Sequence, residues 1–448
     1  MSSFEKFKYK SIEDLQQKIT DLGLNIGLLD DFSVLAQRPK VGEFILPNSL
    51  VINPMEGCDG ETDGSPSDLT VRRYKRFARG GAGLLWFEAT AVASEGRANP
   101  RQLYINKSNV DSFKAMAKEA ISEAKDSMGS DHRPLLIMQL THSGRYSKPQ
   151  GLPDPVIAYH DPNLDSRAGV SADQELISDA ELDQLQEQYV EAAVLAEKAG
   201  LDGVDIKCCH RYLLSELLAA HTRKGKYGGS FENRTRFLLE TIEKIRAKVG
   251  ETFIIGVRMN VFDALPYPYG WGVNQDDYMK PDLTEPKQLA KLLVNGGVSI
   301  INVSAGNPYY VDPQVGRPFD VPVIGADKPK EHPLINVDRL FTLAEEIQTA
   351  VPNTPVVGTG YSWLREYLGY AAATNIATGA VTLAGVGREA FAYPDFAKDL
   401  LQKGSLDKRK VCIACSKCTQ IMRDGGKAGC VIRDSQVYLP IYKEGRNS

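Results

Sequence analysis

Short apolar runs alternate with amphipathic helical stretches eight times along this chain, and this alternation constrains the fold more than any other feature. The candidate strands are rich in β-branched residues and bounded by Gly, Pro or polar residues. Because continuous apolar runs are typical of strands buried on both faces, they predict parallel strands closed into a (β/α)8 TIM barrel. An open doubly wound sheet is the alternative, but its usual G-x-G-x-x-G pattern is missing after the first strand. The candidate strands are Leu50–Pro54, Leu84–Glu88, Leu135–Leu140, Gly203–Lys207, Phe253–Arg258, Ser299–Ser304, Pro355–Gly358 and Ala380–Ala384.

The helical stretches carry their own start and stop signals. The clearest helix, Ser178–Ala199, begins with an S-x-x-E capping box and stops at Gly200. Near the start of the chain, Ser11 with Asp14 opens a short helix that ends at Gly23, and we expect it to pack on the barrel floor. The predicted regions are an N-terminal extension (1–45), an α/β barrel (46–405) and a cysteine-rich segment packed on the barrel (406–448).

Charge and hydropathy exclude several function classes. The formal net charge is -4 and the pI is about 6.0, so nucleic acid is a poor guess for a partner. No run of about 18 apolar residues is present, and the first ten residues lack the apolar core of a secretory signal. We therefore predict no membrane association and a cytoplasmic location. The sequence leaves the oligomeric state open.

Two long loops follow the fifth and sixth strands. Pro266–Pro281 and Asn307–Pro333 are rich in Pro, Gly and Tyr and lack periodicity. In a barrel of this kind they lie on the face where active sites form, and long irregular loops are usually functional. Their aromatic residues favour a functional lid.

Glycines follow the last two strands. The seventh strand runs into Gly358-Thr359-Gly360 and the eighth into Gly385-Val386-Gly387-Arg388. Loops after these strands form the usual phosphate site of the fold, because glycine lets backbone N–H groups approach an anion. Arg388 can hold two phosphate oxygens at once. The pair of loops predicts a phosphate site at Gly358, Gly360, Gly387 and Arg388.

Four of the seven cysteines are packed together as Cys412-x2-Cys415-x2-Cys418-x11-Cys430. In a reducing compartment such a cluster indicates metal rather than disulfides. Thiolates suit both zinc and iron–sulfur clusters, and both accept four cysteines. The residues alone leave the choice between them open.

Two further motifs are distinctive, Gln139-Leu140-Thr141-His142-Ser143-Gly144-Arg145-Tyr146 and the run from Tyr227 to Phe237. The first resembles the Q-L-x-H-x-G-R motif, and the second the Y-G-G-S-x-E-N-R-x-R-F motif, of the old yellow enzyme group of flavin oxidoreductases. The resemblance covers roughly residues 45 to 445. It is strongest to the four-cysteine branch represented by 2,4-dienoyl-CoA reductase and trimethylamine dehydrogenase. The cysteine spacing differs from each relative by one residue.

The resemblance implies FMN across the strand ends. Pro54, Met55 and Gly57 match the segment that lines the flavin. Gln139 is expected to hydrogen-bond the pyrimidine edge through its amide, and Arg258 to stabilise the reduced, anionic flavin. For the cysteines the resemblance favours a 4Fe–4S cluster, with structural zinc as the alternative.

The same resemblance assigns three residues to the chemistry. Tyr146 matches a proton donor. Lys207 and His210, in Lys207-Cys208-Cys209-His210-Arg211-Tyr212-Leu213, match the positions that bind the substrate carbonyl or anion. Two residues depart from the family, since Lys207 replaces a usual His and Arg211 a usual Gly. Lys207 still carries a fixed charge that can hold an oxyanion or carboxylate.

Three functions compete on these observations. The favoured one is an ene-reductase, in which FMN N5 delivers hydride to an unsaturated carbonyl or acid held by Lys207 and His210 while Tyr146 protonates the α-carbon. The second is an amine dehydrogenase with an aromatic cage, for which Tyr309, Tyr310 and Trp271 are the candidates. It is disfavoured because Lys207 would repel a cationic amine. The third is a non-catalytic barrel with structural zinc. Because the chain ends 18 residues after Cys430, we expect electrons from NAD(P)H directly or from a separate electron-transfer protein.

Overall fold

A closed barrel of eight parallel strands forms the centre of the molecule. The computed structural model describes residues 3–310 and 315–447. Around the barrel the strand order is β10-β3-β4-β5-β6-β7-β8-β9, with β9 paired to β10. The (β/α)8 prediction is confirmed. The strands in chain order are β1 (Lys40–Val41), β2 (Phe44–Ile45), β3 (Leu50–Ile52), β4 (Leu84–Ala91), β5 (Leu135–Thr141), β6 (Gly203–Ile206), β7 (Ile254–Asn260), β8 (Ile300–Ser304), β9 (Val356–Gly358) and β10 (Leu383–Val386).

Helices surround the barrel, and their caps agree with the sequence. Ser178 and Glu181 form the expected reciprocal capping box at the start of the longest helix. Ser230 caps the helix after Gly229, whose φ of +81° makes the preceding turn. The helices are α1 (Ile12–Asp21), α2 (Asp68–Arg79), α3 (Val110–Met128), α4 (Asp165–Ala168), α5 (Asp179–Lys198), α6 (Leu213–Leu218), α7 (Phe231–Arg246), α8 (Thr284–Asn295), α9 (Pro333–Ala350), α10 (Leu368–Ala377), α11 (Arg388–Ala392), α12 (Phe396–Lys403), α13 (Lys417–Arg423) and α14 (Ser435–Asn447).

The barrel floor is closed by a hairpin, and the prediction that α1 packs there is wrong. Strands β1 and β2 pair antiparallel, and Val41 and Leu46 join the apolar cluster at the amino ends of the barrel strands. The segment around α1 lies instead on the side of the barrel. There the Phe7 ring packs edge-on against Trp363, with ring centroids 5.3 Å apart, and Asn25 N–H donates to Asp338, 2.8 Å away. The amphipathic pattern of α1 specifies a buried face and no particular partner.

The C-terminal segment lies over the carboxyl ends of the strands. Ala428 N–H donates to Gly57 O over 2.6 Å, and Arg101 donates to Gly425 O. Arg72 reaches Asp434 with N···O distances of 2.8 and 3.0 Å. These contacts attach the segment to the loops after the first two barrel strands and to α2. Across residues 3–310 and 315–447, no helix is both long and apolar enough to cross a membrane.

Candidate active site

A cavity of about 1770 Å³ opens at the carboxyl ends of the barrel strands. Its walls come from the loops after the strands and, on one side, from the cysteine-rich segment through Ser416, Thr419 and Met422. Two further predicted residues, Gly57 and Gly358, lie outside its lining. The predicted site residues that line it are Pro54, Met55, Gln139, Tyr146, Lys207, His210, Arg258, Gly360, Gly387, Arg388 and Cys418.

Gly57 and Gly358 lie behind the residues that line the cavity. Gly57 N–H donates to Glu88, 2.8 Å away, and a Cβ at Gly57 would lie 2.1 Å from Arg73 Nη1. A Cβ at Gly358 would lie 2.9 Å from Val381 Cγ1. Both positions need glycine because neighbouring side chains pack against the backbone.

The predicted phosphate loops line the cavity through Gly360 and Gly387. Gly360 has a φ of +111°, a conformation that favours glycine. A Cβ at Gly387 would meet Met55 Sδ at 2.8 Å. Arg388 donates through Nη2 to Pro318 O over 2.6 Å, while its buried Nη1 has no partner in the described part of the chain. The anchored guanidinium thus keeps a donor for a ligand.

A buried carboxylate orients the residues predicted for the flavin edge. Gln139 Nε2 donates to Asp205 Oδ2 over 2.6 Å, and Trp86 Nε1 donates to the same oxygen over 2.9 Å. Burial raises the pKa of Asp205 to about 6. Beside it, the buried Nε of Arg258 has no partner in the described ranges. Asp205, which the sequence analysis missed, fixes the Gln139 amide for an incoming ligand.

These features fit FMN. The cavity offers an oriented amide at Gln139, an unpaired guanidinium nitrogen at Arg258 and a second one at Arg388 beside glycine loops. The first two suit the polar edge of an isoalloxazine ring, and the third suits a phosphate. Buried donors without partners are rare in folded proteins, so they indicate a ligand.

Lys207 is paired, which the sequence analysis did not foresee. Its ammonium lies 3.3 Å from Glu56 Oε1, with side chains 3% and 14% exposed. The same ammonium sits 3.6 Å from the centre of the Tyr212 ring. The expected repulsion of cations by Lys207 is therefore opposed by an adjacent carboxylate.

His210 is held in an unusual backbone conformation. His210 and Arg211 have φ of +65° and +60°, a region that non-glycine residues seldom occupy. The His210 Nε2 atom lies 3.2 Å from Ser304 Oγ. Burial, together with Arg258 and Lys207, holds the pKa of His210 well below its usual value. The imidazole is therefore neutral at pH 7.

Tyr146 belongs to a group of tyrosines. Its ring stacks on Tyr309 with centroids 3.8 Å apart, and Asn307 Nδ2 donates to its hydroxyl over 3.2 Å. The Tyr212 and Tyr309 hydroxyls are 3.2 Å apart. Burial raises the pKa of Tyr146, so the phenol keeps its proton at neutral pH.

The two long loops contribute unequally to the cavity. Tyr278, Tyr309 and Tyr310 line it, whereas Trp271 is buried elsewhere and donates to Asn260 O over 3.0 Å. Trp271 therefore cannot join an aromatic cage. Residues 311–314 of the second loop lie outside the described residues.

The four cysteines line one small cavity next to the larger one. Cys412, Cys415, Cys418 and Cys430 surround it, and Cys418 and Arg388 belong to both linings. Ala414 N–H lies 3.4 Å from Cys412 Sγ and Arg433 N–H 3.3 Å from Cys430 Sγ. Among the described residues, no three His, Cys, Asp or Glu side chains converge on one metal-ion position.

The barrel and its cavity define the class of (β/α)8 proteins with a ligand site at the carboxyl ends of the strands. The chain belongs to the NADH:flavin oxidoreductase / NADH oxidase family, whose model matches residues 38–268, just over half of its length. An NADH oxidase of Thermoanaerobacter brockii is 30% identical over 397 residues, covering 86% of this chain and 53% of that protein.

Solved structures agree with the fold. A 2-naphthoyl-CoA reductase has a TM-score of 0.72 at 18% identity, covering 93% of this chain and 58% of that one. A histamine dehydrogenase from Rhizobium has a TM-score of 0.68 at 18% identity, covering 90% and 53%. The chain spans little more than half the length of these relatives.

Proposed function

We propose that the protein is an FMN-dependent ene-reductase that acts on an unsaturated carbonyl or acid. FMN, when bound, supplies the hydride chemistry, and Gln139, Arg258, Gly360, Gly387 and Arg388 would hold it. The family supports this cofactor and NAD(P)H as electron donor. The placement of Tyr146, Lys207 and His210 in one cavity carries the proposal.

Each of these side chains has a defined task in this proposal. Lys207 and the neutral His210 hold the substrate carbonyl and stabilise the negative charge that develops on its oxygen. Tyr146 gives its proton to the α-carbon. Its raised pKa keeps the phenol protonated at neutral pH, and Asn307 fixes its hydroxyl.

The four cysteines are proposed to hold a 4Fe–4S cluster, with structural zinc as the alternative. Backbone N–H groups near Cys412 and Cys430 support this, because such contacts tune iron–sulfur clusters. Arg388, which lines both cavities, would place the cluster near the flavin phosphate. Electrons would come from NAD(P)H or a separate electron-transfer protein. None of the seven cysteines, all of which lie within the described residues, forms a disulfide, which supports a cytoplasmic location.

Half-reactions of Tyr146→Phe test the catalytic proposal. We expect FMN reduction by NAD(P)H to stay within about twofold of wild type, and reoxidation of the reduced enzyme by 2-cyclohexenone to slow by about 100-fold, the usual size of general-acid catalysis. Tyr370→Phe, on α10 away from the cavity, is the matched control. Unchanged reoxidation in Tyr146→Phe would contradict the assignment.

Amine oxidation is the second candidate, and the Glu56–Lys207 pair favours it. Glu56 offers a carboxylate to a cation, and the rings of Tyr146, Tyr212 and Tyr309 can surround an ammonium group. Anaerobic mixing with histamine or N-methylproline distinguishes the two functions. Bleaching of the flavin bands by an amine, with no turnover of enones, would favour this candidate.

A further inference from the structure

We infer that the cavity mouth carries a basic arc that binds the phosphate groups of an adenosine nucleotide, and that the cysteine-rich segment contributes one of its residues. The basic arc consists of Arg101, Lys148, Arg167 and Arg423, all of which line the cavity. The inference deepens the proposed function and rests on it, because it names the chemistry by which the donor or substrate is held.

Arg423 is the member that ties the arc to the cysteine-rich segment. It is the last residue of α13 and is exposed at the cavity wall. Within residues 3–310 and 315–447 it takes part in no hydrogen bond or ion pair. Tyr309 lines the same cavity, and the positive charge of Arg423 opposes the rise in the pKa of Tyr309 that burial causes. Arg423 therefore reaches the cavity with its guanidinium donors free for a ligand.

The members of the arc lie on neighbouring loops. Arg101 donates to Gly425 O, two residues beyond Arg423, and to Cys58 O over 3.0 Å. The loop carrying Arg101 meets the loop carrying Lys148, since a Cβ at Gly151 would lie 3.7 Å from Pro100.

The loop that carries Lys148 in turn contacts the segment that carries Arg167. A Cβ at Gly169, two residues beyond Arg167, would lie 3.3 Å from Pro153. The Arg167 guanidinium lies 5.3 Å from the centre of the Tyr310 ring. The four cations thus follow one side of the mouth.

The charge of the arc is not neutralised locally. None of its four members forms an ion pair with a carboxylate in the described part of the chain. Two of the carboxylates that line the cavity are engaged elsewhere, Glu56 with Lys207 and Glu331 with Arg339. A row of unpaired cations in a concave surface attracts anions and raises their local concentration.

The number of cations in the arc indicates the kind of ligand that it binds. A small neutral enone needs one or two donors at the cavity floor and no charge at the mouth. A ligand with several phosphates would use the whole arc, because guanidinium groups bind phosphate oxygens in pairs. The phosphates can belong to a nicotinamide dinucleotide or to an acyl-CoA thioester, and both contain an adenosine diphosphate group.

Calorimetric titration of the FMN-loaded full-length protein tests the arc, with ADP, NADPH and acetyl-CoA as probes. Arg423→Gln is expected to weaken the binding of ADP and of at least one other probe by about tenfold, which is the effect of losing one charge-assisted hydrogen bond. Lys443→Gln removes the same charge from an exposed position on α14 outside the cavity and should change nothing.

The outcomes separate the sources of the phosphate. If Arg423→Gln weakens the binding of NADPH and leaves that of acetyl-CoA unchanged, the arc binds the electron donor. If it weakens the binding of acetyl-CoA and leaves that of NADPH unchanged, the arc binds the substrate. Equal affinities in Arg423→Gln and Lys443→Gln, for all three probes, would overturn the inference. Reoxidation of dithionite-reduced enzyme by 2-cyclohexenone needs no phosphate, so its failure would contradict the proposed function while the binding test stands.

Discussion

Lys207 and Glu56 form a nearly buried ion pair at the centre of the candidate site. Burying either charge alone is costly, so each side chain depends on the other for stability. The pair also sets the charge that a substrate meets. Tyr212 covers the ammonium with its ring and limits its reach to one side.

Lys207→Met should lower the free energy of unfolding by about 3 kcal/mol, because it leaves Glu56 buried without a counter-ion. The double variant Lys207→Met/Glu56→Leu should recover most of that loss. Urea denaturation of the FMN-loaded proteins measures both. If the double variant is as unstable as the single one, the two side chains are not coupled.

One half of this pair was predicted from the sequence. Lys207 was identified because its motif resembles the fourth-strand motif of the old yellow enzyme group, in which that position binds the substrate carbonyl or anion. Glu56 lies four residues after the first barrel strand, β3, and belongs to no recognisable motif. Its partner Lys207 is 151 positions away along the chain. Asp205 was missed because it looks like an interruption in an apolar strand.

At the scale of elements, the loop between β6 and α6 joins three parts of the barrel rim. Arg211 is fully buried and donates to Asp263 over 3.1 Å, to Asp161 over 3.2 Å and to the Tyr159 hydroxyl. These partners lie in the loops after β5 and β7. The network restrains a left-handed backbone that costs about 1–2 kcal/mol per residue, and it positions the adjacent His210.

Arg211→Gly tests this network, since glycine accepts the backbone conformation but leaves two buried carboxylates unpaired. We expect the free energy of unfolding to fall by about 3–5 kcal/mol and kcat/KM for an enone to fall as well. Arg409→Gly, at an exposed position, is the control. A stability equal to wild type would show that the network is not needed to hold the loop.

The elements differ in how far the sequence predicted them. All eight barrel strands were found within about three residues, because strands buried on both faces are continuous apolar runs. The β1–β2 hairpin was missed, since each strand has only two residues. The partner of α1 could not be predicted, because amphipathicity does not identify the surface against which a helix packs.

At the scale of the whole molecule, His332 links the N-terminal segment to α9. Its Nδ1 accepts from Leu334 N–H over 3.1 Å, and its Nε2 lies 3.3 Å from the Tyr9 hydroxyl. Burial lowers the pKa of His332 from 6.5 to about 4. The folded state therefore favours the neutral ring, and the stability that it contributes is present above pH 6.5 and lost as the pH falls through 4.

His332→Asn should remove that pH dependence. Asparagine can still cap α9 but does not titrate. Between pH 7 and pH 4 the free energy of unfolding of the variant should therefore fall by up to about 3 kcal/mol less than that of wild type. Denaturant melts at several pH values measure the difference. Parallel stability curves for the two proteins would contradict the role assigned to His332.

The domain boundaries at residues 45 and 405 stay predictions. The contacts of the cysteine-rich segment with Gly57 and Arg101 suggest that it is integral to the cavity. The sequence indicated a segment packed on the barrel, but it gave no sign that the segment forms a wall of the cavity.

The most direct test of the central claim is the visible absorption of the anaerobically purified protein through one catalytic cycle. We predict flavin bands over a broad iron–sulfur absorbance, bleaching of the flavin bands by NADPH, and their return when 2-cyclohexenone is added. Flavin bands without the broad absorbance would contradict the iron–sulfur cluster and leave the ene-reductase proposal standing. A protein that stays colourless after FMN is added, or reduced flavin that no enone reoxidises, would contradict the account.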